Sequence, residues 1–123
     1  MKSYLQIKSY MQLNNSEKAC VWDMLEAAKD INSFILGMTF KEFEEDKKTR
    51  YAVERQLLVI GEAANHISLD SQGLIQNIPW SDMIGLRNII AHDYGEVIAK
   101  RIWKVAKDHI PQLIVDLQKI IET

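Results

Sequence analysis

Between Thr49 and about Ser68 the apolar residues keep the spacing of an α-helix: Val53, Leu57, Ile60, Ala64 and Ile67 follow at intervals of four, three, four and three. At 3.6 residues per turn they form one stripe, flanked by Ala52, Val59 and Ala63. Such a stripe has to be buried against another element, so it commits the chain to helices packed on helices. Gly61 sits inside this helix. It costs about 1 kcal/mol relative to alanine there, and it signals a close approach of a second helix.

The remaining segments follow the same plan. Ser16 is predicted to cap a helix carrying Val21, Met24, Ala28, Ile31 and Ile35, widened by Leu25 and Trp22 and ended by Gly37. Thr39 and Glu42 form a capping-box pattern ahead of a short helix with Phe40 and Phe43. The run Glu44, Glu45, Asp46, Lys47 and Lys48 reads as a solvated face. Leu69 to Trp80 reads as a loop, broken by Ser71, Gln72, Gly73, Asn77 and Pro79. Ser81 is predicted to cap the next helix, with Asp82 in its first turn, Met83, Ile84, Leu86, Ile89 and Ile90 as its apolar residues and Gly95 as its stop.

A further helix is predicted from near Glu96. Ile98, Ile102, Val105 and Ala106 are apolar, with Trp103 beside them, and Glu96, Lys100, Lys104 and Lys107 lie opposite. Asp108 reads as the cap of a last helix with Pro111 in its first turn. Ile110, Leu113, Ile114, Leu117, Ile120 and Ile121 form that helix's buried face. No segment alternates like a strand. The expectation is an all-α, single-domain bundle of about five helices over residues 16–123, preceded by an extension, residues 1–15, whose apolar residues fit neither period.

Composition narrows the function classes. The 123 residues are 47% hydrophobic with a net charge of -2, which suits one globular domain with a genuine core. That balance argues against non-specific nucleic-acid binding through bulk positive charge, so any RNA contact must come from a local patch. Cys20 is the single cysteine, which rules out an intrachain disulfide; it is expected to be a buried small hydrophobe. No Cys/His set has zinc-ligand spacing, no apolar run reaches membrane-spanning length, and residues 1–15 lack a signal-type apolar region. A cytoplasmic setting is the default expectation.

The chemistry is concentrated between Leu86 and Tyr94. This stretch holds a fixed cation, Arg87, a carboxamide, Asn88, an imidazole, His92, and a phenol, Tyr94. A guanidinium grips a phosphate through forked hydrogen bonds. An imidazole titrates near neutral pH and serves as general acid or base. Together they suit cleavage of a phosphodiester. Asn88 and His92 are four apart and share one helix face, whereas Arg87 and His92 are five apart, roughly 140° around the axis. One straight helix does not aim both at one small target. Either the helix ends near His92 or a second copy of the chain completes the site. On the preceding long helix Arg55, Glu62 and His66 lie on one side. They are either a structural polar stripe or a support layer behind Arg87 and His92.

The run Arg87-Asn88-Ile89-Ile90-Ala91-His92-Asp93-Tyr94 resembles the Arg-x4-His-x-Tyr motif of the HepT-like toxins, small helical ribonucleases of the HEPN superfamily. Tyr51 to Arg55 running into Ile60-Gly61-Glu62-Ala63, and Ile78-Pro79-Trp80, resemble the same family in the same order, over roughly Ala19 to Ile121. The resemblance implies the toxin of a toxin–antitoxin system, an endoribonuclease that works without a metal or other cofactor on RNA such as tRNA or mRNA. His92 would be the acid/base, Arg87 the stabiliser of phosphorane charge, and Asn88 the group orienting phosphate or His92. It implies a homodimer with facing motifs. It also implies a minimal nucleotidyltransferase antitoxin that adenylylates the motif tyrosine, here Tyr94. Arg55 and Glu62 are then candidates for the support layer, and Lys100 and Lys104 for RNA contact. A different class of function is a catalytically silent HEPN module that only binds a nucleotidyltransferase. A bundle di-metal site is disfavoured, because Glu62 and His66 are four apart and occur once.

Overall fold

A computed structural model of the chain describes residues 10–92 and 95–122, with the side chains of residues 95–97 left aside. The elements are α1 (Asn15–Phe34), α2 (Phe40–Glu45), α3 (Lys47–Asn65), α4 (Leu69–Leu74), α5 (Trp80–His92), α6 (Gly95–Lys104), a π-helical turn (Val105–His109) and α7 (Ile110–Ile121). Among the described residues there is no strand. The all-α expectation holds, with the seven α-helices named above among the described residues where about five were read. No helix among the described residues is long and apolar enough to cross a membrane.

α3 is the central element. It packs against α1 on one side and α5 on the other, and α1 in turn packs against α7. The stripe read from the sequence is its buried face: Val53, Leu57, Ile60 and Ala64 are almost fully buried, and Ile67 just past its end joins them. They meet Val21, Met24, Ala28 and Ile31 of α1 and Leu113, Leu117 and Ile120 of α7 in one core. Each large apolar side chain taken fully from water there contributes about 1.5–3 kcal/mol. Trp103 of α6 lies 5.2 Å from Phe43 and 6.2 Å from Phe40, ring centre to ring centre, which ties α2 to α6.

Gly61 has the close approach expected of it. A Cβ on this residue would stand 3.0 Å from the main-chain carbonyl oxygen of Met83 in α5. Gly37, after α1, has φ of +77°, where a side chain would be strained.

Several boundaries differ from the sequence reading, each for a local reason. α1 is capped by Asn14 rather than Ser16: the Asn14 side chain accepts from the Glu17 amide at 2.7 Å, and Glu17 reaches back to the Asn14 amide at 3.3 Å. Trp22 does not widen the buried stripe but is 46% exposed, because it sits roughly 120° from the stripe's centre at 3.6 residues per turn. Asp46 is a helix cap, accepting from the amide and hydroxyl of Thr49, and those bonds hold its carboxyl below the usual carboxylate range. α4 occupies the segment read as a loop. Ser68 caps it, and buried Glu17, 51 residues earlier, accepts from the Ser68 amide and the Ser71 hydroxyl, both at 3.0 Å.

α5 begins at Trp80, so Ser81 lies within the helix and the Pro79 carbonyl receives the Met83 amide. The Trp80 indole donates to the Ile75 carbonyl at 2.8 Å and anchors this start. Asp108 caps nothing. The helical backbone passes through it, and the residue before α7, His109, makes no side-chain cap bond. Pro111 has no N–H to give Lys107, and its ring crowds that carbonyl. The ladder widens instead, with the Ile110 amide reaching the Val105 carbonyl five residues back, the pattern of a π-turn.

Candidate active site

α3 and α5 present the candidate side chains, and Gly61 sets how close they come. Beside that contact a depression of about 200 Å³ is lined by Gly61, Glu62 and Asn65 of α3 and Ile84, Arg87 and Asn88 of α5. Arg87 Nη1 lies 3.0 Å from Glu62 Oε1, with the two side chains 66% and 49% exposed. A pair this wet contributes at most about 1 kcal/mol to stability.

His92 is the last residue of α5 and is exposed. It stands one turn beyond Asn88, about 6 Å along the axis at 1.5 Å per residue. It lines no part of the Arg87 depression. α5 is unbroken from Trp80 to His92, so the 140° divergence of Arg87 and His92 is retained within one chain. Tyr94, the residue proposed for modification, lies outside the described residues.

Arg55, Glu62 and His66 line a second cleft, about 270 Å³, between α1 and α3, together with Cys20, Asp23, Leu58, Val59 and Ala63. Glu62 thus borders both depressions. Cys20 is half-buried on this cleft rather than fully enclosed, and burial, with the nearby Asp23 and Glu17 carboxylates, pushes its thiol up. Lys100 and Lys104 are exposed on α6 and line neither cleft. Among the described residues no group of three or more His, Cys, Asp or Glu side chains is placed to hold a metal ion.

Two features were missed in the sequence. Asn65 belongs to the Arg87 depression; its position three residues after Glu62 would have placed it on that side of α3. A larger depression, about 390 Å³, lies on the other side of α5, lined by Pro79, Ser81, Asp82, Gly85, Leu86 and Ile89 with Val105 and His109 of the π-turn. Pro111 marks the place of the π-turn that forms its far wall, but a helix can accommodate a proline in several ways and the sequence does not say which.

Comparison with known proteins adds the kinship. The family model described as Ribonuclease HepT-like matches residues 24–120. A candidate RNase of Methanocaldococcus jannaschii is 40% identical over 96 residues, covering 78% of this chain and 88% of the relative. A second from the same organism is 38% identical over 105 residues, 85% of this chain and 87% of the relative. A candidate ribonuclease HepT of Thermococcus cleftensis is 36% identical over 108 residues, 88% of this chain and 98% of the relative. No solved structure gives a significant match. An all-helical chain that fits this family model from residue 24 to residue 120, and that aligns with such relatives over most of their length, belongs to the HepT-like ribonuclease family.

Proposed function

We propose that the chain is the toxin of a toxin–antitoxin pair and cuts RNA within the strand, without a metal ion. The observation that carries this reading is the Arg87 guanidinium, presented with Asn88 in an open depression on the helix that ends in His92. RNA brings its own nucleophile. A base takes the proton of a ribose 2′-hydroxyl, and the 2′-oxygen attacks the adjacent phosphorus. The bond from phosphorus to the 5′-oxygen breaks as an acid protonates that oxygen. The products are a 2′,3′-cyclic phosphate and a 5′-hydroxyl. His92 fills the acid/base role, Arg87 offsets the charge that grows on the non-bridging oxygens, and Asn88 orients the phosphate or His92. Two copies facing each other bring His92 of one to the phosphate held by Arg87 of the other. Lys100 and Lys104 are proposed contacts for the RNA backbone.

The regulator in this reading is a nucleotidyltransferase antitoxin, acting with the toxin in the cytoplasm. It transfers AMP from ATP to the Tyr94 hydroxyl with release of pyrophosphate. The added phosphodiester is an anion two residues from His92, where it competes with an RNA phosphate by charge and by bulk. Mass spectrometry after incubation with ATP, magnesium and the partner is expected to show AMP on the Tyr94 peptide with cleavage lost in parallel. Tyr94→Phe is expected to escape silencing.

The deciding experiment is RNA cleavage by the purified protein beside His92→Ala and Arg87→Ala. Each variant is expected to lose about 10²-fold or more in kcat/KM with the helical circular dichroism and cooperative melt retained. Cleavage at the wild-type rate by either variant would overturn the assignment. Adenylylated protein that still cuts RNA normally would overturn the regulatory half.

A further inference from the structure

Glu62 is the carboxylate in contact with the motif arginine, and its placement follows from its neighbour. Gly61 lets α3 ride against the α5 backbone, so Glu62 enters the depression beside Arg87 at 3.0 Å instead of being held off by a side chain. We propose that Glu62 is a positioning residue for Arg87. It orients the guanidinium for the transition state, and it competes with the RNA phosphate for the same cation while the site is empty. This rests on the ribonuclease reading above and extends it to a residue of the neighbouring helix.

Two consequences of the geometry support the dual role. The contact uses one terminal nitrogen of a group with five N–H donors. A carboxylate on that nitrogen restricts rotation of the planar fork without occupying the rest of it. The pair is also largely solvated, so a phosphodiester can take the remaining donors of the fork beside the carboxylate, opposed by the repulsion between the two anions. A buried, fully bonded pair would fix Arg87 but would leave no donor for a phosphate. The carboxylate offsets the guanidinium charge in the depression, so an incoming polyanion meets a partly neutralised cation.

The two effects have opposite signs, which a merely structural residue would not reproduce. Glu62→Gln keeps the size and removes the charge. Its affinity for a 2′-O-methyl RNA oligonucleotide, which lacks the nucleophile and cannot be cut, is expected to rise roughly two- to fivefold at low salt and to approach wild type as salt is raised. Its kcat on the matching RNA is expected to fall by about tenfold or more, because the guanidinium is no longer held in line. Glu62→Asp, which keeps the charge on a shorter arm, is expected to recover part of the kcat and the wild-type affinity. The melting temperatures of the three proteins should agree. Unchanged kcat in Glu62→Gln would overturn the positioning role, and unchanged or weakened affinity would overturn the competition. Wild-type protein that cuts no RNA would instead sink the ribonuclease reading, and the binding measurement would still decide whether Glu62 competes for Arg87.

Discussion

At the scale of the residue, Gly61 joins packing to chemistry. The carbonyl that its missing Cβ would meet at 3.0 Å belongs to Met83. Within an α-helix that carbonyl accepts the amide of the residue four further on, which here is Arg87. A methyl group at position 61 would therefore press on the turn that presents the motif arginine. Alanine gains about 1 kcal/mol in helix propensity, yet the atom it meets is backbone of a packed helix and cannot swing aside. Overpacking of this kind costs about 1–3 kcal/mol. Gly61→Ala is expected to be destabilising by about 1 kcal/mol in a urea melt, and Gly61→Val by more. RNA cleavage by Gly61→Ala should fall further than the folded fraction does, since the shift displaces Glu62 and Arg87. An alanine variant as stable and active as wild type would mean that α5 moves away without consequence.

At the scale of the element, Glu17 holds two helix starts with one side chain. Its carboxylate closes the capping box of α1 and takes the Ser68 amide and Ser71 hydroxyl at the start of α4. It is 7% exposed. The bond from the Ser68 amide is the main cause holding its pKa below the ordinary glutamate value, partly opposed by burial. A depressed folded value means that the ionised group stabilises the fold above the ordinary glutamate pKa, and that this stability is lost as pH falls through the folded value. Glu17→Gln is expected to cost about 1–3 kcal/mol at neutral pH, because a donor replaces an acceptor opposite a buried partner. The difference in melting temperature from wild type should shrink as pH drops below the usual carboxylate range; a gap independent of pH would refute the linkage. The same residue explains what the sequence did and did not reveal. Long stripes such as that of α3, and local signals such as Thr39 with Glu42, were legible because their causes lie within a few residues. α4 has six residues, includes Gly73, and adds to its local Ser68 cap a partner 51 residues away, so a window along the chain contains only part of its cause. The π-turn before Pro111 has a local cause in that proline, but the apolar pattern does not say that the ladder widens there instead of breaking. In the candidate site, spacing put Arg55, Glu62 and His66 on one side of α3, where they line a single cleft. Spacing could not reveal that Glu62 touches Arg87, since that depends on the closeness of two helices.

At the scale of the whole molecule, the arrangement of α5 argues for two copies. The helix runs unbroken through His92, so its ending there does not bring His92 round to Arg87. Arg87 faces the depression shared with α3, while His92 stands beyond it, exposed. A phosphate gripped by Arg87 of one protomer is reached by an imidazole if a second protomer lays its α5 across the first. Sedimentation is expected to show a particle of twice the 14.2 kDa chain. The sharper test is complementation. Arg87→Ala and His92→Ala proteins, each expected to be inactive, are unfolded together and refolded as a mixture. A site built from both protomers leaves each mixed dimer one intact Arg87 and one intact His92 that face each other, so RNA cleavage should return in the mixture and not in either protein refolded alone. Cleavage should also persist in EDTA, because the chemistry assigned to these side chains needs no Lewis acid. An active monomer, a demonstrated mixed dimer without activity, or loss on chelation that magnesium restores would each require a different site.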